Sequence, residues 1–146
     1  MDEKDLAIIE ELLNNSRQST KTIADHTEIP RVTVHERIKK LVQNGVVKRF
    51  TAQIDYSKLG LGTTAFIFVS FAPGTKNDQG EVARRIASVK NVFEVHITSG
   101  EWDFLVKARA RNVEELGELV VNRLRRIEGV EKTLTCFSFQ SAKENP

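Results

Sequence analysis

Basic and hydroxyl side chains between residues 20 and 48 have chemistry suited to a nucleic acid. Residues 31–49 contain six Lys or Arg and one acid, Glu36, whereas residues 1–30 contain three basic and seven acidic side chains. Lys and Arg bind phosphate, Arg and Glu can hydrogen-bond base edges, and a Val or Thr methyl can contact thymine. The candidate contacts are Thr20, Lys21, Arg31, Val32, Thr33, His35, Glu36, Lys39, Lys40 and Lys48.

A solvated helix face would show the same charges, so the interpretation depends on the elements that carry them. Apolar residues at helical spacing predict helices over residues 2–14, from Ser19 or Thr20 to about His26, and from Pro30 to Asn44, ended by Gly45. On the third helix, most of the candidate contacts point away from the apolar stripe of Val34, Ile38 and Leu41. This arrangement predicts a helix-turn-helix, whose second helix enters the major groove of DNA.

A second candidate site is the short connection between two predicted strands. It consists of Thr98, Ser99, Gly100, Glu101, Trp102 and Asp103. Glycine permits a tight turn and close approach of a ligand, and the Asp103 carboxylate could accept a ligand ammonium group. An ordinary hairpin loop with a solvated carboxylate would have the same sequence, so the residues alone leave both interpretations open.

Residues 63–146 predict an α+β domain. Strands are expected over 63–72, 92–98, 103–110 and 133–141, with helices over 77–89 and from Asn112 to Gly129. The order β-α-β-β-α-β is that of the ferredoxin-like fold, an antiparallel sheet with both helices on one face. Residues 1–50 then form the (winged) helix-turn-helix DNA-binding domain. Residues 51–62 form a strand and hinge, with Val46–Ile54 extended and Tyr56–Gly62 as the hinge.

Aromatic residues mark the sheet face that the helices do not cover. Because side chains alternate along a strand, Phe66 and Phe68 oppose Ala65, Ile67, Val69 and Phe71. We expect Phe137 and Phe139 to repeat this aromatic pattern on the last strand. An uncovered apolar face predicts a partner sheet from a second subunit, although the N-terminal domain could also cover it.

Composition excludes several classes of protein. One cysteine, Cys136, and three histidines without metal-ligand spacing predict neither a disulfide framework nor a metal site. No phosphate-binding glycine loop, nucleophile elbow or His-carboxylate motif is present, so we expect neither a cofactor nor enzymatic activity. The charged start and the lack of an apolar run of about 18 residues predict a cytoplasmic protein without membrane spans.

Several longer segments resemble the Lrp/AsnC family, also called feast/famine regulatory proteins. They are DEKDLAIIEELLNNSR, VTVHERIKKLVQNGVVKRFTAQID, KLG, NVFEVHITSGEWDFLVKARAR and EGVEKTLTCFSF. The resemblance covers essentially residues 2–141. The resemblance implies a DNA-binding N-terminal domain and a ferredoxin-like domain that pairs sheet to sheet. It also implies dimers that commonly assemble into octamers, and an amino acid or related effector.

Carried over to this chain, the family's effector segment is Thr98–Asp103, with Gly100 and Asp103 as the nearest matches. Thr133 and Thr135 lie in the matching part of the last strand. The chain departs from the family where Glu28 and Pro30 replace the usual glycine and serine between the motif helices. We therefore expect a strained turn at Glu28 and no side-chain cap at Pro30.

The leading hypothesis is a sequence-specific DNA-binding transcription regulator, modulated by an amino acid or related metabolite through its C-terminal domain. Its partners would be double-stranded DNA and further copies of itself, as a homodimer or octamer. The alternative is a stand-alone small-molecule-binding or protein-interaction module whose N-terminal helices serve only for docking. The location of the basic segment on the third helix favours DNA binding.

Overall fold

Three helices occupy the first of two units in the computed structural model, which describes residues 1–144. The boundary between the units falls between Ile54 and Asp55. The helices are α1 (Glu3–Asn14), α2 (Thr20–Thr27) and α3 (Arg31–Gln43). Their apolar stripes meet in a core of Ile8, Ile23, Ile29, Val34 and Leu41. The sequence predicts these helices to within one or two residues at each end.

Side-chain caps fix the starts of the first two helices. The Asp2 carboxylate accepts a hydrogen bond from the Asp5 amide, and the Asp5 carboxylate accepts one from the Asp2 amide, both at 3.0 Å. This reciprocal pair is a capping box, which satisfies amides that have no partner within the helix. At α2 the Ser19 hydroxyl accepts from the Thr22 amide.

The turn between α2 and α3 has the geometry expected from its unusual residues. Glu28 ends α2 in the left-handed region, with φ 56° and ψ 24°, where a Cβ is unfavourable. Pro30 precedes α3 and makes no side-chain capping bond. The strained residue at Glu28 and the missing cap at Pro30 are both confirmed.

The segment after α3 differs from the expectation. No strand is found anywhere between Gln43 and Thr63, although the sequence predicts extended structure over 46–54 and a strand within 51–62. Apolar residues there, such as Phe50 and Ile54, are exposed. A strand requires a neighbour that pairs with its backbone, and no other segment of the described chain supplies one. Residues 56–60 instead form turns.

The second unit is a four-stranded sheet with helices on one face. Its elements are β1 (Thr63–Phe71), α4 (Gln79–Ala87), β2 (Val92–Ile97), β3 (Phe104–Ala110), α5 (Val113–Glu118) and β4 (Val130–Ser138). The strand order is β2-β3-β1-β4, and every neighbouring pair is antiparallel. This is the predicted ferredoxin-like βαββαβ arrangement.

Two elements of this unit differ from the prediction. After α5 the chain continues as a π-helical turn over Leu119–Arg123 and a 3₁₀ turn over Leu124–Arg126, in place of one regular helix. The last strand ends at Ser138 and not at residue 141. Because Ser138 pairs with Thr64 and β1 begins at Thr63, β1 offers almost no further backbone to residues 139–141.

We call the sheet face that the helices do not cover the open face. The pairing of β4 with β1 shows that the residues on this face differ from the prediction. Phe66 pairs with Cys136, and Phe68 pairs with Leu134, so these four side chains share the open face. Phe137 pairs with Ala65 and therefore belongs to the opposite face. Phe139 lies beyond the strand and is fully exposed. The expectation that Phe137 and Phe139 extend the pattern of Phe66 and Phe68 is wrong, because a shift of one residue reverses every side chain of a strand.

Candidate nucleic-acid interface and ligand loop

The exposed side of α3 contains most of the predicted nucleic-acid contacts. Val34 and Leu41 face the core, whereas the candidate contacts on α3 are exposed or partly exposed. Val32 is 76% exposed, so its methyl groups are accessible to a partner. The predicted residues on this side are Arg31, Val32, Thr33, His35, Glu36, Lys39 and Lys40.

The positive charges on this side of α3, and that of Lys48 after the helix, are available to a ligand. The side chains of Lys39, Lys40 and Lys48 make no hydrogen bond or ion pair with any residue of the described chain, 1–144. Unpaired cations attract the phosphates of a polyanion, and binding releases condensed counterions. The arrangement of α3 therefore suits phosphate contacts on either side of base-reading residues.

The starts of α2 and α3 are brought together. Arg31 donates from Nε to the Thr20 hydroxyl at 3.3 Å. Thr20 and Lys21 lie in the first turn of α2, where amides have no acceptor within the helix and the dipole favours an anion. Both features allow this end of α2 to bind a phosphate.

Arg37 was missed by the sequence interpretation. Its Nη1 lies 2.7 Å from Oδ1 of Asp2 and 2.7 Å from Oδ1 of Asp5. A hydrogen bond from the Asp5 amide first, and then Arg37, lower the pKa of Asp2. Arg37 is the first cause that lowers the pKa of Asp5, and the two carboxylates raise the pKa of Arg37. The partners lie 32 and 35 residues away along the chain, so no local pattern reveals them.

The loop Thr98–Asp103 joins β2 to β3 and is closed by two hydrogen bonds. The Thr98 amide donates to the Asp103 carbonyl at 2.9 Å, and the Thr98 hydroxyl donates to the Trp102 carbonyl at 2.6 Å. Gly100 has φ 111°, a conformation that favours glycine. Ser99, Gly100 and Glu101 are exposed, whereas Trp102 packs against Phe68 with ring centroids 6.1 Å apart.

Asp103 connects this loop to the rest of the unit. Its Oδ2 accepts from the Phe71 amide at 2.7 Å, and its Oδ1 accepts from Nε2 of Gln79 at 2.8 Å. Its own amide donates to the Val69 carbonyl. The carboxylate therefore connects the end of β1 and the start of α4 to the loop, a role that the sequence did not indicate.

Thr133 and Thr135 do not lie beside this loop in a single chain. They pair with Val69 and Ile67, so both belong to the face that the helices cover. In the strand order, β1 separates β4 from β3, which follows the loop. Trp102, by contrast, contacts Phe68 on the open face. The predicted effector residues thus form two separate groups within one chain.

Arginine and aromatic side chains meet on the open face near the start of the second unit. The Arg109 guanidinium lies 4.5 Å from the Tyr56 ring centroid and 5.5 Å from that of Phe93. Arg109 also donates to Thr64, and together with Lys107 it pairs with Glu144 at 2.6 Å. A cation held against aromatic rings and a carboxylate is stabilised despite burial.

Among residues 1–144, no group of three or more His, Cys, Asp or Glu side chains is arranged to hold a metal ion. Within the same residues, none of the helices has the length and apolar character needed to cross a bilayer.

Comparison with known proteins identifies both units. Residues 1–48 match the model of a winged helix-turn-helix DNA-binding domain, and residues 64–146 match that of the Lrp/AsnC ligand-binding domain. An HTH-type transcriptional regulator of Pyrococcus horikoshii is 47% identical over 144 residues, which cover 99% of this chain and 96% of the relative. The regulator FL11 of the same organism is 38% identical and covers 99% of this chain and 93% of its own length.

Solved structures agree on the fold. A transcriptional regulator from Neisseria meningitidis in complex with L-Met superposes with a TM-score of 0.91 at 22% identity, covering 99% of this chain and 94% of that chain.

The family and the relatives are transcriptional regulators and not enzymes. Both domain models match, and relatives more than 30% identical extend over nearly the whole chain. The chain is therefore a member of the Lrp/AsnC family, a DNA-binding transcriptional regulator with a ligand-binding domain.

Proposed function

We propose that this regulator binds specific DNA sequences by inserting α3 into the major groove. The observation that carries the proposal is that the unpaired side of α3 combines cations with residues able to read bases. Lys39, Lys40 and Lys48 contact phosphates, as do the first amides of α2 at Thr20 and Lys21. Base edges are read by residues at the start and middle of the helix, namely Arg31, Val32, Thr33, His35 and Glu36.

Fluorescence anisotropy with a salt titration tests this proposal, after selection of an operator from a random DNA pool. The double variant Lys39→Ala/Lys40→Ala should bind all sequences more weakly and reduce the slope of log K against log salt by about 0.9 per lost phosphate contact, which is about 1.8 for each α3 bound to DNA. Replacing Arg31 or Glu36 should change the sequence preference by about 1–3 kcal/mol per base contact.

The matched control is Lys76→Ala/Lys132→Ala, which removes the same charge from exposed positions of the second unit. This control should keep the native slope. Binding of the Lys39→Ala/Lys40→Ala variant with unchanged affinity and slope would contradict the placement of α3. An intact chain that selects no sequence from the pool would contradict the function itself.

We further propose that the open face pairs with the same face of a second copy, as a homodimer that can assemble into an octamer. Phe66, Leu134 and Cys136 are exposed on this face, and Phe68 is only partly buried. Burial of these side chains would stabilise the pair by about 25 cal/mol per Å² of apolar surface. Two-fold symmetry implies an operator with half-sites about one helical turn apart.

An amino acid or related metabolite is proposed as the effector, bound at the loop Thr98–Asp103. The loop lies within the matched ligand-binding domain, and a structural neighbour was solved with L-Met. The amides around Gly100 and the Ser99 hydroxyl suit a carboxylate. The Asp103 carboxylate uses two of about four lone-pair sites within the chain, which leaves capacity for an ammonium group. Thr133 and Thr135 would join the site only through a second copy.

Calorimetry with the twenty amino acids tests the effector, followed by sedimentation with and without any that binds. Gly100→Val should abolish binding without loss of DNA affinity, because the side chain would project from the loop where the ligand approaches. Val121→Thr, an exposed change on the helical face, serves as the control. Absence of binding by all twenty, or binding unaffected by Gly100→Val, would remove this loop from the proposal.

A further inference from the structure

Arg37 is the one basic residue of α3 whose charge is compensated by acids among residues 1–144. The other three, Arg31, Lys39 and Lys40, form no ion pair with residues 1–144. Arg37 contacts Asp2 and Asp5 at 2.7 Å each, and its side chain is 25% exposed. We call this group of three residues the N-terminal clasp.

The carboxylates of Asp2 and Asp5 are oriented by hydrogen bonds that do not involve Arg37. Each carboxylate accepts a hydrogen bond from the backbone amide of the other residue, so the capping box that starts α1 also fixes their oxygen atoms. Asp5 then accepts from Arg37 with its second oxygen, Oδ1. Because the capping box already holds the two carboxylates, Asp2 and Asp5 lose little further entropy when they pair with Arg37, and their charge-assisted hydrogen bonds with it are of the stronger class.

The position of Arg37 on the helix separates it from the DNA-facing side. Arg37 follows the core residue Val34 by three positions and precedes the core residue Leu41 by four, so it lies beside the buried stripe. Asp5 and Arg37 nevertheless border a groove of about 530 Å³ that Val32, Glu36 and Lys40 also line. The clasp is therefore adjacent to the base-reading residues without being one of them.

We infer that Arg37 is a positioning residue for DNA recognition: by pairing with Asp2 and Asp5 it fixes α3 against the start of α1 and makes no phosphate contact. The inference rests on the proposed insertion of α3 into the major groove. It assigns to Asp2 and Asp5 a role in operator affinity.

The direction in which Asp5→Asn changes the affinity for DNA distinguishes the two possible roles of Arg37. If Arg37 contacted phosphate, Asp5→Asn would release its charge and strengthen DNA binding. If Arg37 positions α3, Asp5→Asn should weaken binding, in the same direction as Arg37→Gln. We expect each variant to lower affinity for the selected operator by about tenfold, which corresponds to about 1.4 kcal/mol.

The salt dependence gives a second, independent readout. Arg37→Gln should give a line of log K against log salt parallel to the native line, because the number of neutralised phosphates is unchanged. The neighbouring control Lys40→Gln should lower the slope by about 0.9 for each α3 bound to DNA. Asp25→Asn, which removes an exposed acid from α2, controls for the general loss of negative charge. Arg37→Lys should recover most of the affinity, since it restores the ion pair.

Stoichiometric titration of each variant at protein concentrations far above Kd gives the active fraction, so that unfolding is separated from altered affinity. Where Asp5→Asn lowers the active fraction strongly, Asp2→Asn replaces it, because Asp2 is more exposed. Stronger DNA binding by Asp5→Asn or Asp2→Asn would overturn the inference, as would a lower slope of log K against log salt for Arg37→Gln. In either case a lower slope for Lys40→Gln would still support the proposed function. A native chain that binds no DNA would overturn both.

Discussion

The backbone of Gly129 passes so close to Val82 that a Cβ added to Gly129 would lie 2.5 Å from Cγ2 of Val82. Val82 is fully buried and belongs to the core between the helices and the sheet. Phe71 limits the space from another direction, with its ring 3.4 Å from the same point. Gly129 also has φ 105°, which side chains rarely adopt.

Gly129→Ala should therefore lower the free energy of unfolding by about 3 kcal/mol, from backbone strain and overpacking together. Urea denaturation of the full chain measures the change. Gly74→Ala is the control, since Gly74 has φ 87° but nothing within 4 Å of an added Cβ. Equal losses for the two variants would show that the contact with Val82 contributes nothing.

Glu28→Gly should stabilise the protein by about 0.5–1 kcal/mol. The left-handed conformation costs an L-residue about 1–2 kcal/mol, and the greater freedom of glycine in the unfolded chain offsets part of the gain. The same substitution at Glu10, an exposed residue inside α1, should destabilise by a similar amount. Thermal unfolding of both variants checks the opposite signs, and destabilisation by both would contradict this account of the turn.

Asp103→Ala should lower the free energy of unfolding by about 2–3 kcal/mol, because the Phe71 amide and the Gln79 side chain both lose their acceptor. Gln79→Ala removes only one of these hydrogen bonds and should cost clearly less. Chemical denaturation measures both. A stability of Asp103→Ala within about 0.5 kcal/mol of the native chain, the range of an ordinary surface change, would contradict the connecting role of this carboxylate.

Phe68→Asp should dissociate the proposed sheet-to-sheet dimer, since a buried charge without a partner costs several kcal/mol. Phe139→Asp makes the same chemical change at a fully exposed position and should leave the assembly intact. Sedimentation equilibrium gives the masses of both. Native mass for a well-folded Phe68→Asp protein would contradict an interface on the open face.

Glu144 should stabilise the protein near neutral pH and lose that contribution in acid. Hydrogen bonds from Lys107 and then Arg109 hold the pKa of Glu144 below its usual 4.5. A lowered folded-state pKa contributes stability above the unfolded value, and this stability is lost as the pH falls through the folded value. Glu144→Gln should therefore be less stable than the native chain at pH 7.

Urea titrations give the free energy of unfolding of the native and Glu144→Gln proteins. The difference between these two free energies should shrink as the pH falls below about 4.5. Glu128→Gln, at an exposed position without an ion pair among residues 1–144, should show no such trend. A difference that stays constant from pH 7 to pH 3 would contradict the ion pairs of Glu144.

Local sequence patterns predicted the helices and strands. Contacts between distant segments of the chain decided which side chains those helices and strands bring together. The alternation of Ala65, Phe66 and Ile67 gave the faces of β1, because one strand determines its own alternation. The face of Phe137 depends on its register with Ala65, which no local pattern contains. The first unit behaves in the same way. The helical stripe identified the exposed side of α3. The partners of Arg37, however, lie at the start of α1, more than 30 residues away along the chain.

Asp103 shows the same limit within the candidate ligand loop. Its type and position beside glycine indicated a ligand contact, which the residues alone could not distinguish from a hairpin carboxylate. Its hydrogen bonds to Phe71 and Gln79 depend on where β1 ends and α4 begins. Tertiary structure thus gives this side chain a structural role in addition to the proposed one.

The stacking of Tyr56 on Arg109 has a thermodynamic consequence. Tyr56 is the second residue after the boundary at Ile54 and Asp55, and its ring lies on the guanidinium of an open-face residue. A second copy bound on that face would alter the surroundings of this contact, which lies directly after the boundary between the two units. Because linkage is reciprocal, if dimerisation changes the affinity for DNA by some factor, DNA binding changes the dimerisation constant by the same factor.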